Sequence, residues 1–302
     1  MRRILSGDGG GVRGAFTTAA YLVEMERQTG KLCRELFQMV AGTSTFALIA
    51  AAIAAGVPAT EILKIYQEDA PQVFNLPPIL AWPERVLYGH AFESAKIAAV
   101  LRKRFGAAAS WRLNDSPIRI LLCACAVNGH PRYFVQDTPK NSKASGKLSL
   151  IECAAASAAA PTYLDSVYVD PLGGSLVGHT VDGGIAGMAN PVYHACVEAY
   201  VYDDFDPNDT QVISLGTGYT KNTAVNAPAG LIGNLSLVID SLLYSGGRQQ
   251  TEIAQRHYKN IQRFNWELPA AVDMADAGAI PGLISLGQRI APSFNWKGIL
   301  GL

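Results

Sequence analysis

Short apolar runs alternate with longer stretches of helical spacing along this chain. "RRILSG" reads as a first strand that runs into a glycine-rich turn. "VRGAFTTAAYLVEMERQTG" then places Ala15, Ala19, Leu22, Val23 and Met25 on one helical stripe, with Gly30 as a stop. "LFQMVAG" is a second strand. "TFALIAAAIAAG" is a helix apolar on every side and therefore buried, ended by Gly56 and Pro58. A short helix over Ala59–Gln67 leads into "APQVFNLPPILAWPERVLYGHAF", whose four prolines rule out a core helix. "PIRILLCACAV" is apolar throughout, like a parallel strand covered on both faces. "PRYFVQD" pairs back on it through the turn "VNGH".

The second half continues the alternation. "LSLIECAAASAAAP" is a helix stopped by Pro161, and "YVDPLGGSLVGHTVDGG" reads as short strands and turns. "TQVISLGTG" is a buried strand entering a glycine turn. "IGNLSLVIDSLLYSGGRQQTEIAQRHYKN" is helical, with a break expected at Gly246-Gly247, and "IQRFNWEL" is a last strand. Strands alternating with helices predict one α/β domain over residues 1–302. Its central, mostly parallel sheet carries a helical layer on each side.

Composition narrows the classes. A 49% hydrophobic, 17% charged chain of zero net charge has no general affinity for nucleic acid or anionic membrane. Its five cysteines form no C-x-x-C pair and sit mostly in apolar runs, as free thiols in a reducing compartment do. The run from Met39 to Ala55 approaches transmembrane length, but Gly42, Thr43, Ser44 and Thr45 interrupt it. The N-terminus lacks the apolar core of a secretory signal. A cytoplasmic protein that does not span a membrane is expected.

Two loops carry candidate chemistry. "SGDGGGVRG" fits G-x-G-x-x-G at Gly9, Gly11 and Gly14, between a strand and a helix. Its amides form a nest for negative charge, either a nucleotide phosphate or the oxyanion of acyl transfer. The second strand does not end in the acidic residue that a ribose requires. Gly42-Thr43-Ser44-Thr45 is a G-x-S-x-G nucleophile elbow up to its last position, which is Phe46. A serine nucleophile needs a base. None of His90, His130, His179, His194 and His257 stands in a convincing triad position. Asp182, followed by Gly183-Gly184, is a candidate base if partly desolvated, and an Asp-Gly turn closing a hairpin is the plain alternative. Asp8 is a further acid, better suited to capping.

Together these blocks resemble the patatin-like phospholipase family. Asp8-Gly9-Gly10-Gly11-Val12-Arg13-Gly14 matches its D-G-G-G-x-R-G loop, and Gly42 to Thr45 matches its serine elbow. "AAASAAAPTYL" matches its A-S-x-A-A-P segment, Asp182-Gly183-Gly184 its D-G-G/A motif with Asn190-Pro191 following, and "SLGTG" a further strand end. The match spans about residues 1–220. The resemblance implies a three-layer α/β/α fold and a Ser–Asp dyad without histidine. Ser44 would be the nucleophile and Asp182 the base, with Gly9, Gly10, Gly11 and Arg13 as the oxyanion site. It implies hydrolysis of fatty-acyl esters of phospholipid or galactolipid, with no metal or other cofactor.

Phe46 departs from that pattern. Glycine is used there because a side chain meets the neighbouring strand. The ring must enter a local pocket, push the helix outward or reach toward the acyl site. A weakened or inactive relative that binds a lipid or a partner is therefore the alternative reading. The proline-rich segment, residues 70–90, adds a second expectation. With Phe74, Leu76, Ile79, Leu80, Trp82, Val86, Leu87 and Tyr88 it forms either a lid that meets lipid aggregates at the membrane periphery or a cover over the sheet edge.

Overall fold

The structure is a computed structural model that describes residues 1–76, 88–141, 145–169, 178–220 and 245–302. Eight strands form one sheet: β1 (Arg2–Gly7), β2 (Met39–Thr43), β3 (Arg119–Ala126), β4 (Pro131–Val135), β5 (Val167–Val169), β6 (Gly178–Asp182), β7 (Thr210–Leu215) and β8 (Ile261–Phe264). The order is β5-β6-β3-β2-β1-β7-β8, with β4 also paired to β3. The β3-β2-β1-β7-β8 pairings are parallel, and β4, β5 and β6 are antiparallel to their neighbours.

Both faces of this sheet are covered, as its apolar strands require. Successive residues point to opposite sides. Leu5, Val40, Leu122 and Ile213 enter one apolar cluster, while Ile4, Met39, Leu121 and Val212 enter another. The first cluster packs on α1 (Gly14–Thr17), α2 (Val23–Thr29), α3 (Thr45–Ala55), α4 (Ser94–Phe105), α5 (Leu150–Ser157) and α7 (Ile280–Ile290). The second packs on α6 (Val192–Val197) and on Ala254 within the helix of residues 245–257. Three layers result.

Local chemistry sets the boundaries. α2 ends at Gly30, whose φ of 69° is left-handed and whose N–H returns to the Glu26 carbonyl. Between α1 and α2 the same helical run widens into a π-turn over Thr18–Leu22. α3 is buried along almost its whole length, with only Leu48 and Ala55 partly exposed. Burial of Phe46, Ile49 and Ile53 contributes about 2 kcal/mol each. Gly246 and Gly247 lie inside the helix of residues 245–257 and do not break it, and the earlier part of that expected helix lies outside the described residues. Within the proline-rich segment, Ile79, Leu80, Trp82, Val86 and Leu87 also lie outside them. Phe74 and Leu76 pack against the first cluster, and Tyr88 is exposed.

Candidate active site

β3 brings the serine and the aspartate together. Cys123 is flanked by Thr43 on one side and Tyr133 on the other, and Ala124 by Asp182 and Arg132. β2 and β6 therefore meet end to end along one edge of β3, while β4 takes the other edge. Ser44 is the residue after β2, and Asp182 is the last residue of β6.

Ser44 holds φ 57° and ψ −127°, a conformation rare for a residue with a side chain. Such strain persists only where the surroundings enforce it. Here the Ser44 N–H donates to Ser157 Oγ at 3.0 Å, and Ser157 Oγ donates to the Cys123 carbonyl at 2.5 Å. Thr43 Oγ1 donates to the Met188 carbonyl at 2.6 Å. The Ser44 hydroxyl lies near enough to the Asp182 carboxyl to favour its charged form, and that carboxyl accepts from the Gly184 N–H at 2.7 Å. Both residues are buried. Burial pushes the Asp182 carboxyl from its ordinary 3.8 up to about 6, and these two groups oppose that only in part.

The glycine loop lies against the serine. A Cβ built on Gly9 would stand 2.9 Å from Ser44 Cβ. The Gly9 N–H donates to the Ala189 carbonyl at 2.8 Å, so this amide, expected at the oxyanion site, is already engaged. Thr217 Oγ1 donates to the Gly9 carbonyl at 2.8 Å, and Arg13 Nε to the Gly10 carbonyl at 3.2 Å. Arg13 is buried and holds the loop through this bond. Gly10 (φ 152°) and Gly11 (φ 57°) turn where L side chains rarely go, and their amides have no acceptor among the described residues. Asp8, next to them, is tied to Arg263: Nη1 donates to Oδ1 at 2.7 Å, and Nη2 pairs with Oδ2.

Phe46 occupies a local pocket. Its ring lies over Gly7, where a Cβ would fall 2.0 Å from the ring carbon Cδ2. Gly42, paired to Gly7 across β1 and β2, faces the α3 backbone, with a Cβ 2.3 Å from the Phe46 carbonyl oxygen. Gly42 thus keeps the close approach of helix to strand, and the bare Gly7 makes room for the ring. The ring is fully buried in the first cluster and does not line the channel that opens at Ser44.

That channel is apolar. It has a cavity volume of about 70 Å³ and runs past Leu48, Ile62, Tyr66, Val73, Ile97 and Leu101. Asp69 is the one carboxylate among its described lining residues, and it is paired with Arg104 Nε at 2.6 Å. No histidine lines the channel among the described residues. His179 bonds Ser166 Oγ, and His194 stacks on Tyr133.

Sequence reasoning singled out the segments but not three of their working residues. Ser157 braces the elbow, as above. Thr217 holds the glycine loop from the end of β7. Asn190 Nδ2 donates to Ser214 Oγ at 3.2 Å and to Thr251 Oγ1 at 2.9 Å, tying the strand-end loops together. Each sits inside a quoted motif, so the signal was present without its role. Met274, whose carbonyl accepts the Val12 N–H at 2.9 Å, lies in the C-terminal region that carried no signal.

A serine at a strained strand–helix elbow, a buried aspartate and a turn of glycine amides thus converge where the ends of β1, β2 and β6 meet in this α/β fold. The chain belongs to the patatin-like phospholipase family, whose model matches residues 5–195. It is 28% identical to a cGAMP-activated phospholipase of Vibrio cholerae, over 96% of this chain and 90% of that protein. A cGAMP-activated phospholipase of Escherichia coli is also 28% identical, over 71% of this chain, but only 62% of its own length is spanned. Patatin-17 of Solanum cardiophyllum is 24% identical, over 83% of this chain and 71% of that one. Among solved structures, VipD from Legionella pneumophila aligns with a TM-score of 0.43 at 13% identity, over 97% of this chain and 67% of VipD.

Proposed function

We propose that this protein hydrolyses fatty-acyl esters of phospholipid or galactolipid through an acyl-serine intermediate, with Ser44 as nucleophile and Asp182 as its base. The observation that carries this reading is a buried, proton-seeking Asp182 carboxyl beside the Ser44 hydroxyl, where Ser44 opens onto an apolar channel. Asp182 takes the hydroxyl proton as Ser44 Oγ attacks the ester carbonyl. The oxyanion that forms is held by the Gly10 and Gly11 amides, which have no acceptor among the described residues. On collapse, the C–O bond to the alcohol breaks and Asp182 returns its proton to that oxygen. Water then repeats the sequence: it gives a proton to Asp182, attacks the acyl-serine, and Ser44 leaves with the proton. The acyl chain lies in the apolar channel. Arg13 keeps the loop in shape through the Gly10 carbonyl. The buried position of Phe46, away from the dyad, supports a competent elbow over a silenced one.

The substrate makes this a protein that works at lipid surfaces while staying outside the bilayer core. Among the described residues no helix is long and apolar enough to cross a membrane. Incubation with an alkyl fluorophosphonate tests the chemistry. Intact-mass and peptide analysis should place one adduct on Ser44, and Ser44→Ala should lose both the adduct and fatty-acid release, with a fall in kcat of at least about 10³-fold. A folded wild-type protein that takes no adduct, or an alanine variant that keeps its rate, would overturn the assignment.

A further inference from the structure

The Ser44 end of the channel holds a pair of hydroxyls, Thr45 and Tyr66, that the ester chemistry does not use. Their oxygens lie 2.5 Å apart, and the two residues are only 3% and 5% exposed. Thr45 opens α3 directly after the nucleophile. Tyr66 sits on a π-turn over Ile65–Asp69, where the helical run from Ala59 widens. Gly14, the last glycine of the D-G-G-G-x-R-G loop, lies against the pair. A Cβ there would stand 2.2 Å from Tyr66 Oη and 2.5 Å from Thr45 Oγ1. Its φ of −57° suits any residue, so what position 14 requires is space for two hydroxyls.

The pair has one proton too many for its own needs. Two hydroxyls carry two protons, and the hydrogen bond between them uses one. The other has no acceptor among the described residues. Burial pushes the Tyr66 phenol up from its ordinary 10, against the pull of the Thr45 bond, so it keeps its proton at neutral pH. A buried donor without an acceptor is costly. The adjoining walls, Leu48, Ile49, Ile62 and Ile65, are aliphatic and offer none. Asp69 is taken by Arg104, and Tyr163 Oη donates to Asp273 at 2.9 Å.

Position restricts which oxygen of a substrate meets this pair. In the proposed reaction the carbonyl oxygen turns to the Gly10 and Gly11 amides, and the alcohol oxygen leaves beside Asp182. The acyl chain enters the channel, so an oxygen at the pair belongs to that chain. Thr45 follows Ser44 directly, with Cα atoms about 3.8 Å apart. That oxygen therefore lies within the first few carbons of the carbonyl. A spare proton beside free lone pairs matches an alcohol, which accepts and donates at once. We propose that the Thr45–Tyr66 pair is a polar subsite selecting acyl chains hydroxylated on the second or third carbon. This rests on the ester-hydrolase reading above and narrows its substrate class.

The test compares kcat/KM of the full chain on p-nitrophenyl octanoate and on single enantiomers of its derivatives hydroxylated at carbon two, three or seven. Each value is divided by the alkaline hydrolysis rate of that ester. At least one ester hydroxylated at carbon two or three should be favoured over the plain ester by about 10-fold or more, because a site built to bond a hydroxyl discriminates against the analogue lacking it. The derivative at carbon seven should gain nothing. Tyr66→Phe and Thr45→Val keep the ring and the branched shape, and each should bring the preference down to about 2-fold or less. A general loss of activity cancels in this ratio, and melting temperatures establish that both variants are folded. Equal use of plain and hydroxylated esters by the wild type would overturn this proposal alone. Hydrolysis of none of them would overturn the ester-hydrolase reading and this proposal with it. A preference that survives in both folded variants, or one as large at carbon seven, would also overturn it, the latter being a plain polarity effect.

Discussion

Asp8 and Asp182 occupy matching positions with opposite consequences. Each follows or ends a strand of the same sheet, each precedes glycines, and each is largely buried. Asp8 faces a guanidinium: Arg263 grips both of its oxygens and also reaches Ser214 Oγ at 2.9 Å. Among the described residues Asp182 faces neutral groups, the Ser44 hydroxyl and the Gly184 amide. Burial raises both carboxyls above their ordinary value, but for Asp8 the charges of Arg263 and Arg13 pull against it. A carboxylate gripped by a guanidinium is held in an ion pair, while one facing a hydroxyl is placed to take that hydroxyl's proton. One D-G-G sequence is held as a clamp and the other is left open for the role of base proposed above, and the partner decides which.

The comparison breaks most visibly at Asp182. Asp182→Asn should lower fatty-acid release by about 10²–10⁴-fold while keeping the fold. It should also raise stability at pH 7.5. The folded-state value near 6 lies above the ordinary 3.8, so this group favours folding fully below about 3.8 and loses that benefit as pH rises through 6. Above pH 6 the wild type therefore carries a penalty of at most about 3 kcal/mol that asparagine does not. Urea denaturation should find the variant more stable at pH 7.5, with the gap closing toward pH 4. A variant that keeps its rate would remove Asp182 from the chemistry.

Asp8→Asn should do the reverse. It strands the Arg263 charge, and breaking a fully buried pair costs about 3–5 kcal/mol. With side-chain exposures of 13% for Asp8 and 19% for Arg263, a loss of about 2 kcal/mol in urea denaturation is expected. The rate per folded molecule should stay within about 10-fold of wild type, because no step moves a proton through Asp8.

The difference between these two aspartates was only half legible in the sequence. Strand ends, glycines and the serine elbow leave local signatures, so the sheet and its two helical layers could be anticipated, and Ser44 and Asp182 could be named as candidates. The Asp8 clamp could not, since Arg263 lies 255 residues away and nothing near it announces an ion pair. Phe46 was illegible for the same reason. Its fit depends on Gly7, a residue of a different strand, brought under the ring by the β1–β2 register. The Gly9 amide was misjudged because its acceptor, the Ala189 carbonyl, lies in a loop whose backbone course no motif states. Side chains also recruit across strands, and Ser157 reads from sequence as one more small residue in an alanine-rich helix until Cys123 and Ser44 are seen on either side of it.

The smallest expected effect is the sharpest test of how separate the two carboxylates are. If Asp182 is the base, kcat/KM should fall on the acid side with a midpoint near 6, because protonated Asp182 cannot accept the serine proton. Burial sets that midpoint, opposed by Ser44 and the Gly184 amide. The acid limb of Asp8→Asn should therefore stay within about 0.5 pH of the wild-type limb even as stability falls. A pH–rate profile on a soluble chromogenic ester, taken above the acid-unfolding range of both proteins, reads this directly. Removing a nearby negative charge would make the Asp182 proton easier to lose and move the limb to lower pH. A shift of about 1 pH in that direction would show that the ion pair at the start of the chain tunes the base, and the division between clamp and base would no longer hold.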